Sequence, residues 1–327
     1  MNPPRSWLRK HGVGRLAYRC LYRPRQQFDL ARAYGWRLWW RAIRGASAMR
    51  RAARALPAPA PREVALVPPI CFLTGPQFVP TTLFCAHSFA RAAGVEAKFE
   101  FLSDGGLDAE TSAALLRVFP RAAVHETAEL DQRVADALPP GKFPSLHALR
   151  KEFVLLRKLT DAMTDRRGYR LFLDSDMLFW GKPRELLARA AKAEPLYLAD
   201  VGDDHYTMPP ADITRMLGVP VADRVNSGLV GLDAGAIDWD LMERACALLH
   251  AAPGDQRLLE QTLWAIALGA QGARPLDSDA YRLVIDPSQW RAACTHMPPP
   301  VLLHYAWHAR LPYSAAEWRR YLAMRAT

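Results

Sequence analysis

The sequence predicts an α/β protein with a mixed, mostly parallel sheet and helices on both faces, and three observations lead there. Strand-like and helix-like stretches alternate from residue 70 onward. Two carboxylates, Asp174 and Asp176, interrupt an otherwise apolar run from Leu171 to Trp180. At 327 residues, half of them hydrophobic, the chain can bury one large core or two modest ones.

The elements follow in order. Ile70 to Leu73 reads as a buried strand ending at Thr74-Gly75, and Thr82 to Ala93 as a helix closed by Gly94. Ala97 to Leu102 reads as a second strand, ending at Ser103-Asp104-Gly105-Gly106, which completes a βαβ opening. Ala122 to His125 is a short third strand. Ser145 is expected to cap a helix running to about Met163, with Leu146, Leu149, Phe153, Leu156 and Leu159 on its buried side. The strand Tyr169–Leu173 precedes the Asp pair. After it come a helix over 183–191, strands at 195–199 and 225–232, helices over 239–250 and 255–268, and a late strand at 301–304.

Charge divides the chain in two. Of 43 Lys+Arg, 15 fall in residues 1–66, against only Asp29 and Glu63, so the high basicity belongs to an N-terminal extension. The remainder is slightly acidic and carries no nucleic-acid motif, which excludes that partner. Prolines 57, 59, 61, 68 and 69 separate the extension, residues 1–66, from a body over 67–327. Within the extension, Trp36, Trp39, Trp40 and Ile43 share a helical face beside Arg37, Arg41, Arg44 and Arg51, although Arg50 and Arg54 interrupt the apolar face further on. Two readings stay open: the Trp stripe docks on the body with solvated arginines, or residues 1–60 lie on an anionic membrane surface. No apolar run approaches the roughly 18 residues needed to cross a bilayer, and no secretory apolar region opens the chain, so the expected location is the cytoplasm, with peripheral contact to the inner membrane face. Cys20, Cys71, Cys85, Cys246 and Cys294 are widely spaced and read as reduced packing residues.

Ionised carboxylates among core side chains cost several kcal/mol each unless neutralised, and a hard cation neutralises them well. Residues i and i+2 of an extended chain share a face, so Asp174 and Asp176 are expected to ligate one ion at a strand end. Thr74, at the end of the first strand, and Asp104, at the end of the second, are candidate nucleotide contacts, because open α/β sheets bind ligands there. Asn226 and Ser227 open a strand that Gly228 lets another group approach closely.

Several stretches together are similar to one family. Cys71-Phe72-Leu73-Thr74-Gly75, then Phe78-Val79-Pro80 and Leu83 to Phe89, resemble its opening strand, turn and helix. Asp174-Ser175-Asp176 resembles its Asp-x-Asp motif, Val225-Asn226-Ser227-Gly228-Leu229-Val230 its Asn-Ser/Thr-Gly strand, Glu260-Gln261 its Asp-Gln pair, and Val301-Leu302-Leu303-His304-Tyr305 its closing apolar-His-aromatic motif. The family is that of the sugar-nucleotide-dependent glycosyltransferases of the GT-A fold, most of all glycosyltransferase family 8 and its bacterial relatives. The matches run in family order from about residue 70 to 313, and residues 1–66 have no counterpart.

The resemblance implies that Asp174, Asp176 and His304 hold a divalent metal, manganese ahead of magnesium, which neutralises the departing nucleoside diphosphate. It implies a donor-binding set that includes Ser175, Ser227, Gly228 and Lys158, with Lys151, Arg150 and Arg157 competing for the role of Lys158. The motif departs from the family at Ala306 to Tyr313, where Arg310 stands in for a diphosphate-binding lysine. Glu260-Gln261 is preferred over Asp255-Gln256 because Thr262-Leu263-Trp264-Ala265 continues the apolar pattern. The implied reaction moves a hexose, UDP-linked, to a hydroxyl of a glycan or small acceptor, with retention of configuration. Glu260, Gln261 and Asn226 are its candidate catalytic residues. An inverting relative would instead need a base, for which Asp203, Asp204 or Asp255 is available. The segment 200–219 is a polar insertion suited to covering an acceptor. Two alternatives remain: a haloacid-dehalogenase-like phosphatase, on Leu173-Asp174-Ser175-Asp176 and Gly202-Asp203-Asp204, and a non-catalytic membrane-surface scaffold.

Overall fold

The computed structural model describes residues 23–60, 67–202, 205–252 and 255–326. Cys20, Glu63, Asp203 and Asp204 lie outside the described residues.

The described residues open with two helices, α1 (Arg23–Tyr34) and α2 (Trp36–Arg54), and continue into the body. There follow β1 (Ile70–Thr74), α3 (Val79–Ala93), β2 (Phe99–Ser103), α4 (Ala109–Val118), β3 (Ala123–His125), α5 (Thr127–Ala137), α6 (Pro144–Glu152) and α7 (Arg157–Met163). Next come β4 (Tyr169–Leu173), β5 (Met177–Phe179), α8 (Arg184–Ala191), β6 (Leu196–Ala199), α9 (Pro210–Leu217), β7 (Val225–Asp233), α10 (Trp239–Ala251) and α11 (Leu259–Ala270). The last stretch holds β8 (Arg274–Pro275), β9 (Tyr281–Val284), α12 (Pro287–Thr295), β10 (Leu302–Tyr305) and α13 (Trp318–Ala326).

A seven-stranded sheet runs in the order β3-β2-β1-β4-β7-β6-β8, and every pairing is parallel except the two made by β7. This is the mixed, mostly parallel α/β sheet that the sequence predicts. Alternation along the strands sends Ile70, Phe72, Phe101, Leu171 and Leu173 to one core and Cys71, Leu102 and Phe172 to the other. Helices cover both faces because both are apolar, and each fully buried Phe or Leu stabilises the fold by about 1.5–3 kcal/mol. A second sheet, β5-β10-β9, is built on the residues that follow the Asp pair.

Two local expectations are corrected. The helix expected from Ser145 to Met163 is broken at Phe153, which is extended at φ −113°, ψ 99°. Ser145 is not its cap: Pro144 occupies the first turn, and the backbone N–H groups of Ser145 and Leu146 donate to the Glu243 carboxylate at 2.8 and 2.9 Å. A tertiary carboxylate does the work of a local cap. Cys71, Cys85 and Cys246 are buried free thiols as expected, but Cys294 is exposed.

Of the two readings of the Trp stripe in the extension, docking on the body is corrected. Helix α2 docks on the body through Ala42, Gly45, Met49 and Ala53, and a Cβ at Gly45 would overlap the carbonyl oxygen of Ser314. The close approach needs a residue without a side chain. Trp36, Trp40 and Ile43 point away from the body and stay exposed. No helix among the described residues is long and apolar enough to cross a membrane.

Candidate functional site

Asp174, Ser175 and Asp176 form the link between β4 of the large sheet and β5 of the small one. At one end the Asp174 N–H donates to the carbonyl of Gly228 at 2.7 Å, which ties the link to β7. At the other the Tyr305 N–H donates to the carbonyl of Asp176 at 2.8 Å, and β10 pairs antiparallel with β5 so that His304 lies opposite Met177. That register delivers the imidazole to the carboxylates. His304 Nε2 is 3.1 Å from Asp176 Oδ1 and 3.9 Å from Asp174 Oδ2, and one potential ligand atom from each of the three residues lies within 4.8 Å of the others.

Gly228 makes room for this arrangement, because a Cβ on it would overlap the His304 ring at Cε1. A fully apolar β7 would be a stronger strand; the glycine marks close approach. Its N–H is taken by Asn226 Oδ1 at 3.1 Å.

Two cations already answer the carboxylates. Lys158 Nζ, on α7, lies 2.7 Å from Asp174 Oδ1 and 3.9 Å from Glu260 Oε1. Arg310 places Nε and Nη2 on Asp176 Oδ2, each at 2.7 Å. Burial opposes charge on Asp176, but Arg310 and then His304 outweigh it and hold the carboxyl well below the usual carboxylate range. Burial likewise works against Lys158, and Asp174 with Glu260 raise its pKa nonetheless.

Glu260 behaves in the opposite way. Burial raises its pKa to about 7; Lys158 opposes the rise and the Asp174 charge adds to it. Its Oε2 accepts a 2.9 Å hydrogen bond from Ser227 Oγ. Beside it, Gln261 spends both amide protons, on Asp200 Oδ2 at 3.0 Å and on the His205 carbonyl at 2.9 Å, and its Oε1 accepts from the Ser227 N–H at 3.5 Å, which leaves that oxygen one lone pair to meet positive charge. Asn226 Nδ2 is 3.4 Å from the same Asp200 oxygen.

At the edge of the cluster, Thr74 and Ser175 are joined through Thr82, with 2.7 Å between hydroxyls on each side. Asp104 stands at the end of β2, where its carboxylate accepts from the Gly106 N–H at 3.1 Å. Apart from Arg310, which lies in the helical turn after β10, every candidate site residue lies in or just after the sheet strands or on the α7 and α11 helices beside them. Of the residues that competed with Lys158, Arg150 and Arg157 instead bind Asp161 and Asp131. Asp255 is tied to Arg257.

Sequence reasoning missed Asp200 and Thr82 as members of the cluster. The signal for Asp200 was present: it follows the buried strand β6 as Asp174 follows β4, a carboxylate placed directly after an apolar run. Thr82 carried none, since a threonine in a helix is unremarkable by itself.

The donor set suits a divalent cation. Two hard carboxylate oxygens and one imidazole nitrogen converge, and all three could ligate one ion. His304 Nδ1 is buried with no hydrogen-bond partner, so no neighbour fixes the protonated nitrogen at that position.

No protein-family description and no curated protein matches the sequence. Among solved structures the chain is similar to the galactosyltransferase LgtC in complex with donor and acceptor sugar analogues, at 16% identity and TM-score 0.48, over 77% of this chain and 99% of that one. It is similar to mouse xyloside xylosyltransferase 1 in its apo form, at 13% identity and TM-score 0.44, over 73% and 97%. It is also similar to core-mannan synthase A from Aspergillus fumigatus in a Mn/GDP form, at 10% identity and TM-score 0.45, over 68% and 77%.

Proposed function

We propose that the chain is a metal-dependent glycosyltransferase of the GT-A type that moves a hexose from a nucleoside diphosphate, UDP first, to an acceptor hydroxyl. The observation that carries this reading is the convergence of Asp174, Asp176 and His304 at a strand end beside Glu260 and Gln261. Asp174, Asp176 and His304 would hold the metal, which when bound supplies the positive charge that a departing diphosphate needs.

The remaining chemistry falls to the chain's own residues. Arg310, more than half exposed at its side chain, is placed to turn from Asp176 toward phosphate oxygens, for which its fork is well shaped. Lys158 keeps a fixed positive charge behind Asp174. Thr74 and Asp104, at adjacent strand ends, are assigned to the base and ribose. Asn226 and Ser227 orient sugar hydroxyls, and Gly228 keeps the backbone low enough for them to be reached. The Gln261 carbonyl oxygen, with Glu260 behind it, offers negative potential to a sugar ring that gains positive charge as its bond to the leaving group lengthens. Transfer with retention is the stereochemistry we assign, and the cytoplasm the location.

A thermal-shift series tests the whole reading. Stabilisation is expected only when manganese and a nucleoside diphosphate are present together. Stabilisation by magnesium with phosphate mimics would support the phosphatase alternative, and no response to any of these would support a scaffold.

A further inference from the structure

We infer that the outward face of the α1–α2 pair is a docking surface for an anionic lipid bilayer. The inference does not rest on the reaction assigned above. It starts from a conflict between the sequence pattern and the packing. A helix that carries three tryptophans would ordinarily bury them, yet α2 buries Ala42, Gly45, Met49 and Ala53 and turns the aromatic side to solvent. Trp36 is 52% exposed, Trp40 54%, Ile43 44% and Phe28 of α1 53%.

These side chains form one patch. Trp36, Trp40 and Ile43 recur every turn along a single stripe of α2. Phe28 meets Trp36 edge to face at 5.5 Å, and Trp36 meets Trp39 at 5.6 Å. Trp39 is itself pinned by a 2.9 Å hydrogen bond from its indole nitrogen to Gln27. The patch is a fixed part of the surface, and the body gains nothing from it.

Charge selects the occupant. Arg37, Arg41 and Arg44 line the neighbouring stripe of α2; all are exposed, and none makes an ion pair among the described residues. Across residues 23–60 the sole acidic side chain is Asp29. Indole rings beside unpaired guanidinium groups match the two layers of an anionic membrane surface, the acyl chains just beneath the headgroups and the dense negative charge of the headgroups themselves. The same hairpin is continuous with the mouth of the site: the Tyr34 ring lies 5.4 Å from His308, two residues before Arg310, and Trp307 beside it is 62% exposed. A bilayer seated on this face would hold the mouth near its surface.

The test is co-sedimentation of the full chain with phosphatidylcholine vesicles, with and without phosphatidylglycerol. Binding to the anionic vesicles is expected to be stronger by roughly 10-fold or more, and brominated acyl chains are expected to quench tryptophan fluorescence. A W36S/W40S/I43S variant leaves the net charge unchanged, so its expected loss of roughly 10-fold in binding, together with the quenching, isolates the aromatic contribution. An R37E/R41E/R44E variant should lose the preference for phosphatidylglycerol. All six side chains face away from the body, and unchanged thermal melts check that both variants fold. Equal partition of the natural chain to both vesicle types overturns the inference, as does undiminished binding of the aromatic variant. Conversion of a dimer to a monomer by that variant, without a change in vesicle binding, would assign the face to a second copy instead and also overturn it.

Discussion

Glu100 of β2 and Glu260 of α11 are both largely withdrawn from water, and they are perturbed in opposite directions. Burial alone would raise either one. Around Glu100 it is overcome: His125 Nε2 at 3.7 Å, Arg170 Nη2 at 2.6 Å and Arg166 Nη2 at 3.5 Å bring the carboxyl down to about 2. Around Glu260 it wins, because the nearest cation, Lys158, stands 3.9 Å away and is shared with Asp174 at 2.7 Å. The first cluster is neutralised from within and ties β2, β3 and β4 together. In the second, Lys158 and Arg310 are taken up by Asp174 and Asp176, and Glu260 is the carboxylate left with least compensation, a perturbed group beside a cluster of potential metal ligands.

That contrast can be broken in several ways. The largest effect is expected from Asp176→Asn, which should weaken manganese-dependent nucleoside diphosphate binding by roughly 100-fold or more in a calorimetric titration while circular dichroism stays unchanged. Unaltered affinity would leave the second cluster without its proposed purpose. In the first cluster, Arg170→Met strands a buried carboxylate and should cost about 3–5 kcal/mol in urea unfolding. A variant as stable as the natural chain would show that this cluster is not structural.

Smaller in effect is Gly228→Ala, which forces the His304 ring aside and is expected to cost about 1–3 kcal/mol. Weaker metal binding should accompany the loss; an unshifted metal titration would separate His304 from the ion. The smallest change sharpens the comparison through pH. With a folded pKa near 7 against an ordinary 4.5, Glu260 holds its proton longer in the native state, so its contribution to stability is present below about pH 4.5 and declines as pH rises to 7. Glu100, with a folded pKa near 2, contributes fully above about 4.5 and loses that contribution as pH falls toward 2. Melting temperatures at pH 5 and 8 should therefore decline less for Glu260→Gln than for the natural chain. Glu100→Gln should melt lower than the natural chain at both.

Much of the site was legible because its signals are local. Asp174 and Asp176 stand out against apolar neighbours, Gly228 interrupts a strand, and His304 ends an apolar run, so each can be found without knowing what it faces. Their partners were not legible in the same way. That Lys158 faces Asp174 depends on how α7 docks beside β4, and that Arg310 grips Asp176 depends on the turn after β10. The capping of α6 depends on Glu243 reaching from α10 to its first turn. The unbroken apolar run of β1 showed a buried strand from sequence, whereas helical periodicity in α2 revealed an aromatic stripe without saying whether it meets the body.

The chain of hydroxyls from Thr74 through Thr82 to Ser175 has a chemical corollary. Thr82 owns one proton and has three oxygen neighbours, and the arrangement that satisfies every short contact sends that proton to the Phe78 carbonyl at 3.0 Å. Thr74 and Ser175 must then both donate inward. Each is left with lone pairs alone; Thr74 is fully buried, so it is Ser175 that offers an electron-rich greeting to an incoming N–H or O–H and turns away a carbonyl presented in the same place.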